Sequence, residues 1–291
     1  MLNVIHMEIN RLFRSKSLYI ALGICSGAVI LFVMALSALM NFAADFSDMT
    51  VSGGDFVSAG DFSEGLAVSA TDAPSGASAT TESWPVSFCA PIVSGLCLLF
   101  VVIYTASFVH AFYKDGFCKN VIACVKYRYY FQICKTVCVA AISAVFLVAS
   151  SIVAILASAI GVKEFTFGNI GLYFMFMIGE FLLLTAVGLL SAFLTELTGG
   201  KATAIIYILL AMTNLVGGLL SLLDGKLSQW LHIKVKLSDL LPSLYHNAFS
   251  IRDENGSANG SNLAHAVMLS LIFIVIYNAA GSYLITKRDV K

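Results

Sequence analysis

The chain has 291 residues, of which 59% are hydrophobic and only 12% are charged. In soluble domains about a quarter of the residues are charged. This composition therefore excludes an ordinary soluble protein and predicts one membrane domain that occupies the whole length. The formal net charge of +0 conceals an unequal distribution of charge along the chain.

Residues 1–17 precede the first long apolar segment and have the pattern of an amphipathic helix. Apolar residues recur there at helical spacing, and polar residues lie opposite them: Leu2, Ile5, Ile9, Leu12 and Phe13 against Asn3, Asn10 and Arg14. We predict an interfacial helix that lies flat on the inner leaflet. It could border the docking site of a partner or serve only as an anchor that fixes the topology.

Six apolar segments are long enough to cross a membrane as helices. A hydrocarbon core of about 30 Å takes about 20 helical residues, and a helix satisfies its own backbone polar groups in lipid. The fold class is therefore predicted to be an all-α membrane protein. The predicted spans are residues 18–40, 86–111, 136–160, 170–194, 202–223 and 263–285.

The distribution of charge orients these spans. With the N-terminus inside, the cytoplasmic segments hold twelve Lys and Arg against four Asp and Glu, while the outer loops hold five bases against twelve acids. Basic residues that flank a span resist translocation. The sequence therefore predicts an N-in, C-in topology in a cell membrane, and we expect this to be the cytoplasmic membrane of a bacterium.

The first predicted outer loop, residues 41–85, is rich in small residues and has seven acids but no Lys or Arg. Acid-aromatic pairs occur in it three times, as Asp45-Phe46, Asp55-Phe56 and Asp61-Phe62. Such pairs could hold a cationic amphipathic substrate through ion pairing and cation–π contact. The alternative is a solvated, partly disordered loop that only obeys the charge rule.

Residues 112–135, FYKDGFCKNVIACVKYRYYFQICK, join the second and third spans and carry five bases against one acid. One helical face is apolar and the other polar: Phe117, Cys118, Val121, Ile122 and Val125 against Lys119, Asn120, Ala123 and Lys126. The pattern predicts a short basic amphipathic helix at the cytoplasmic surface, where it could dock a soluble partner.

Glu180 is the one acid inside a predicted span. It lies about 15 Å into the fourth span at 1.5 Å per residue, and a charge at such a depth costs on the order of 3 kcal/mol on insertion scales. We therefore expect Glu180 to face the bundle. Asn214 lies at a similar depth in the fifth span, and we predict that both residues line one polar region of the substrate pathway. Glu180 could contact a cationic substrate, bind a proton, or be a hydrogen-bonded structural residue.

The second large outer loop, residues 224–262, contains two short amphipathic stretches around Pro242. We predict short helices that dip back into the outer leaflet or cap the bundle. No phosphate-binding loop, zinc-protease motif or nucleophile elbow occurs in the chain, and the seven cysteines match no zinc pattern. We therefore expect neither catalysis nor a metal site, and energy must come from another subunit or an ion gradient.

The cytoplasmic segment resembles a feature of one family. Type 2 ABC exporter permeases often have a Gly-x-x-Lys-Asn element after the second span, followed by Arg and Lys. Gly116, Lys119 and Asn120 fit this element, with Arg128 and Lys135 after it. The chain also ends in a basic tail, Lys287-Arg288-Asp289-Val290-Lys291, and its layout of helices agrees with that family along the whole length.

The resemblance implies a permease that pairs with a second copy or a homologous permease and binds two separate ATPase subunits. ATP and Mg would bind there, with no cofactor on this chain and no nucleic acid as a partner. The coupling residues would be Gly116, Phe117, Cys118, Lys119, Asn120, Val121, Ile122, Val125 and Arg128. Among such permeases the chain is most similar to small ones that export antimicrobial peptides or confer immunity to them. The alternative is a gradient-driven carrier that uses Glu180 as its proton or cation site.

Overall fold

A computed structural model describes residues 2–52, 90–114, 129–161, 170–213, 240–249 and 260–287. Within these ranges every regular element is a helix. In chain order the helices are α1 (Leu2–Arg14), α2 (Lys16–Ser52), α3 (Ala90–Lys114), α4 (Tyr129–Gly161), α5 (Ile170–Thr198), α6 (Lys201–Met212), α7 (Pro242–Ala248) and α8 (Gly260–Lys287).

Five of these helices, α2, α3, α4, α5 and α8, are long and apolar enough to cross a membrane. Each is a continuous helix, so its backbone N–H and C=O groups pair within the segment, as a lipid environment requires. The prediction of an all-helical, multi-pass membrane protein is therefore confirmed. Which membrane holds the chain, and which way the helices run across it, stay predictions.

The predicted span at residues 202–223 is described only in part. Helix α6 covers Lys201–Met212, which is roughly 18 Å at 1.5 Å per residue and shorter than the hydrocarbon core. The rest of that predicted span, from residue 214 onwards, lies outside the described residues. The count of six spans therefore stays a prediction.

All five long helices extend beyond their predicted spans, and α2 and α4 do so furthest. Helix α2 continues to Ser52, through residues that the sequence assigned to the first outer loop; residues 41–52 contain neither Gly nor Pro, so no helix breaker interrupts them. Helix α4 begins at Tyr129 rather than at 136, and Lys135 therefore lies inside a helix. The length of an apolar segment reflects the thickness of the membrane, whereas the helix itself continues until a helix-breaking residue or turn ends it.

Helix α5 is at the centre of the bundle. It packs against α3, α4, α6, α7 and α8, and it is the most buried of the five long helices. Gly188 lets α4 approach closely, because a Cβ atom at this position would lie 2.8 Å from Val139 Cγ1. Small residues serve this purpose between membrane helices.

Helix α7 is short and inserted into the bundle. It starts at Pro242, whose fixed backbone angle suits the first turn of a helix. It packs among α3, α5, α6 and α8, and its residues from Ser243 to His246 are buried. A short helix that caps or enters the bundle was predicted around Pro242, and the side of the membrane from which α7 enters stays a prediction.

Helix α1 packs against α4, but the side that packs differs in part from the apolar face predicted from the sequence. Leu12 is fully buried, whereas Phe13 is 42% exposed and Glu8 only 2% exposed. Glu8 and Leu12 are four residues apart and so share one side of the helix, while Phe13 is turned well away from it. The side of α1 that faces the bundle thus contains an acid.

Candidate functional site

Glu180 on α5 and His246 on α7 form a buried acid–base pair. Glu180 Oε1 lies 2.5 Å from His246 Nε2, and the two side chains are 0% and 1% exposed. The contact is an ion pair only when the imidazole is protonated, because an unprotonated imidazole nitrogen and a carboxylate oxygen both present lone pairs. The prediction that Glu180 faces the bundle is confirmed, and its described partner is a titratable group.

Contacts around the pair fix α7 to its neighbours. Tyr207 OH on α6 lies 2.9 Å from Ser243 Oγ. Tyr245 OH donates to the carbonyl of Asn262 on α8 at 3.2 Å. Both bonds lie within a turn of His246 along α7, and they hold that helix in the register that brings His246 to Glu180.

Next to Glu180, the aromatic ring of Phe249 packs directly against the backbone of α5. A Cβ atom added at Gly179 would lie 2.5 Å from Phe249 Cζ, so only a glycine leaves room for this ring. Phe249 also stacks on Phe176, with ring centroids 5.9 Å apart. These rings cover the side of α5 on which the pair lies, which keeps the pair in an apolar environment.

The pairing of Glu180 with Asn214 stays a prediction, because Asn214 lies outside the described residues. His246 was missed from the sequence. The signal was available, since His246 is a titratable residue within the mostly apolar stretch LLPSLYHNAF of residues 240–249. Depth in the membrane identifies buried polar groups only within predicted spans, and α7 is not one of these spans.

A second buried pair, Lys135 on α4 with Glu196 on α5, lies toward the other end of α5. The side chains are 5% and 4% exposed, and Lys135 Nζ also donates to Tyr113 OH at 3.3 Å. The predicted topology places both charges on the cytoplasmic side and does not specify whether they are buried. The early start of α4 places Lys135 inside the bundle, where a buried charge needs an opposite partner. Glu196 is roughly 24 Å along α5 from Glu180 at 1.5 Å per residue.

The two ends of the predicted coupling segment meet at one place. Phe112 near the end of α3 and Phe131 near the start of α4 have ring centroids 5.0 Å apart. The guanidinium of Arg11 on α1 lies 5.3 Å from the centroid of the Phe112 ring. The end of α3 and the start of α4 therefore lie side by side, next to α1.

The coupling residues themselves lie outside the described residues, so their docking role stays a prediction: Gly116, Phe117, Cys118, Lys119, Asn120, Val121, Ile122, Val125 and Arg128. The same holds for the acid-aromatic pairs Asp55-Phe56 and Asp61-Phe62. Asp45 and Phe46 belong to helix α2 rather than to a loop, and their side chains are not among those described.

Glu8 lines a small cavity between α1 and the bundle, with Phe108, Phe112, Phe131, Cys134 and Lys135 among its other walls. Burial raises the pKa of the Glu8 carboxyl, and the nearby positive charge of Arg11 opposes this. Loss of hydration destabilises the charged form, so the protonated acid is favoured while α1 is docked. The predicted topology places Glu8 on the cytoplasmic side, and its side chain is 2% exposed.

No family model matches this chain, and no curated protein matches it either. A functional proposal therefore rests on the chain's own features: the membrane-spanning helices, the two buried pairs and the sequence pattern of the segment between α3 and α4.

Proposed function

We propose that this chain is the permease subunit of an ATP-driven ABC exporter of type 2. A separate soluble ATPase hydrolyses ATP, and the permease couples this to the export of an amphipathic substrate such as an antimicrobial peptide or another antibiotic. In this proposal the chain is a transport subunit and not an enzyme. The assembly contains two ATPase subunits, with ATP and Mg²⁺ bound there, and two permeases.

The observation that carries the proposal is the contact between Phe112 and Phe131, which joins the two ends of the segment at residues 115–128. A soluble motor that pulls on this segment would move the ends of α3 and α4 together. The buried pair of Lys135 and Glu196 would pass that motion to α5, the central helix. Packed side chains and buried ion pairs between rigid helices are the kind of connection that can carry such coupling.

The segment also has the surface that a docking helix needs. Its apolar face would enter a groove of the partner, as amphipathic helices do in other complexes, while its bases hold it at the cytoplasmic surface. The three acid-aromatic pairs within residues 45–62 favour a cationic amphipathic substrate, because an aromatic face and a carboxylate both attract a cation.

The proposal is tested by purifying the tagged chain from its native membranes in mild detergent. We expect a nucleotide-binding protein to copurify in equal amount and to hydrolyse ATP. The combined changes Phe117→Glu, Val121→Glu and Ile122→Glu should remove it, because they place charges on the apolar face. The matched control is Ala123→Glu, which places the same charge on the opposite face and should retain the ATPase.

Two results would contradict the proposal: no nucleotide-binding protein in the wild-type preparation, or full retention of it by the triple variant.

The gradient-driven carrier is supported by one observation, the buried pair of Glu180 and His246. It predicts that vesicles accumulate a fluorescent cationic peptide under a proton gradient without ATP, and that Glu180→Gln abolishes this. Accumulation that needs ATP supports the exporter instead.

A further inference from the structure

We propose that Glu180 and His246 together bind one proton and so latch α7 onto α5. When α7 leaves α5, this proton is either released to water or kept by one of the two side chains. The pair is the one place where α7 meets α5 through two titratable side chains that the structure describes. This inference concerns a latch inside the bundle and does not depend on which partner energises the chain.

Burial and charge determine how many protons the docked pair favours. Oε1 and Nε2 lie 2.5 Å apart on side chains that are 0% and 1% exposed. With one proton the pair is either carboxylate and imidazolium or carboxylic acid and imidazole, and both forms have zero net charge. Removing the proton leaves a buried negative charge, and adding a second leaves a buried positive charge. Because isolated charges are unfavourable at this depth, the docked pair is more stable with one proton than with none or two.

The separated groups behave differently. In water a glutamate side chain ordinarily ionises near pH 4.3 and a histidine near pH 6.5. When α7 leaves α5 and both groups meet water, they therefore keep about one proton between pH 4.3 and 6.5 and lose it above about pH 6.5. Undocking above that pH releases one proton. By linkage, the docking constant of α7 is then constant just below pH 6.5 and falls about tenfold per pH unit above it.

Other titratable groups lie on the helices that surround the pair. The described ones are Cys97 on α3, Tyr207 on α6, Tyr245 on α7 and His265 on α8, whereas Cys134, Lys135 and Cys138 on α4 lie around the cavity beside Glu8. Free imidazoles ordinarily ionise near pH 6.5, and His265 is the other imidazole in this set. Its ring lies 4.8 Å from that of Tyr245, and it needs a control of its own.

The test is amide hydrogen exchange, measured by mass spectrometry on the full chain in lipid nanodiscs between pH 5.5 and 8. Exchange in the peptide that covers residues 242–249 reports the opening of α7 once the intrinsic pH dependence of exchange has been divided out. In the wild type we expect protection to be level up to about pH 6.5 and then to fall about tenfold per unit. In Glu180→Gln, a side-chain amide contacts the neutral imidazole without an added proton. Protection should therefore be level above about pH 6.5 and should fall below that pH, where the released imidazole gains a proton.

Three further variants act as matched controls. Glu196→Gln removes another buried acid from the same helix, and His265→Gln removes the competing imidazole; both should retain the wild-type slope. Gly179→Ala pushes Phe249 away from α5 and should lower protection at every pH without changing the slope. Protection of residues 170–198 shows whether a variant has kept its bundle.

The proposal is overturned if wild-type protection of residues 242–249 does not change with pH above 6.5, a result that needs no variant. It is also overturned if Glu180→Gln keeps the slope, or if His265→Gln abolishes it. A variant that loses protection in α5 as well as in α7 has unfolded, and the wild-type profile together with the His265→Gln profile then decides.

Discussion

Replacing Lys135 by Met is expected to destabilise the bundle far more than the loss of a surface charge would. The side chain of Lys135 is 5% exposed and that of Glu196 is 4% exposed, so removing Lys135 leaves a carboxylate with its counter-charge gone and almost no water to hydrate it. Removing one partner of a buried pair costs about 3–5 kcal/mol, compared with about 0–1 kcal/mol for an exposed pair. Lys135 also lies over the ring of Phe131 at 4.7 Å, and methionine keeps the apolar part of that contact.

The assay is reversible unfolding in lipid bicelles, read as the free energy of unfolding of four proteins: the wild type, Lys135→Met, Glu196→Gln and the double variant. Each single change should cost several kcal/mol. The double variant should recover much of the loss, because it leaves no unpaired buried charge. The matched control is Lys201→Met at the start of α6, whose side chain is exposed; it should change stability by no more than about 0.5 kcal/mol.

The reasoning is refuted if the two single changes each cost less than about 1 kcal/mol and add in the double variant. That result would mean that water reaches the pair and that the helices α4 and α5 are not joined by it. The proposed route from the coupling segment to α5 would then lack its connection.

Two other changes follow from the packing and from the pKa of Glu8. Gly188→Ala should destabilise the bundle by about 1–3 kcal/mol, because the new Cβ meets Val139. Gly27→Ala is the control and should not destabilise it, because no neighbour lies within 4 Å of the added Cβ. Unfolding in bicelles measures both changes. Glu8→Gln should strengthen the docking of α1 at pH 7, because burial raises the pKa of Glu8 and ionisation therefore opposes docking as the pH rises above the ordinary pKa. Exchange of the α1 amides should lose this pH dependence in the variant and keep it in the wild type.

The sequence predicted the features that depend on local pattern. Long apolar segments predicted the membrane helices, and the spacing of Leu12 and its neighbours predicted α1. Each of these properties depends on residues near one another in the chain, and lipid requires a helix wherever an apolar segment crosses it. The helix ends were less predictable, because α2 and α4 continue past the apolar stretch.

The partners of buried charges could not be predicted in the same way. Glu8, Lys135 and Glu196 all lie near predicted membrane surfaces, where either hydration or burial is possible. Only the packing of α1, α4 and α5 against one another decides whether each of these side chains is hydrated or buried. The contact between Glu180 and His246 likewise depends on the insertion of α7, which joins residues far apart in the sequence. Charges that flank a span are therefore better evidence for topology than for exposure.

The central claim is that a separate ATPase docks on the segment between α3 and α4, and a photocrosslink from residue 121 tests it most directly. A photoreactive amino acid is placed at Val121 in living cells, with Ala123 on the opposite helical face as the matched position. Illumination should join residue 121, and residue 123 much less, to a protein that mass spectrometry identifies as nucleotide-binding. Equal crosslinking from both positions, or adducts of residue 121 only with lipid or other membrane proteins, would contradict the account.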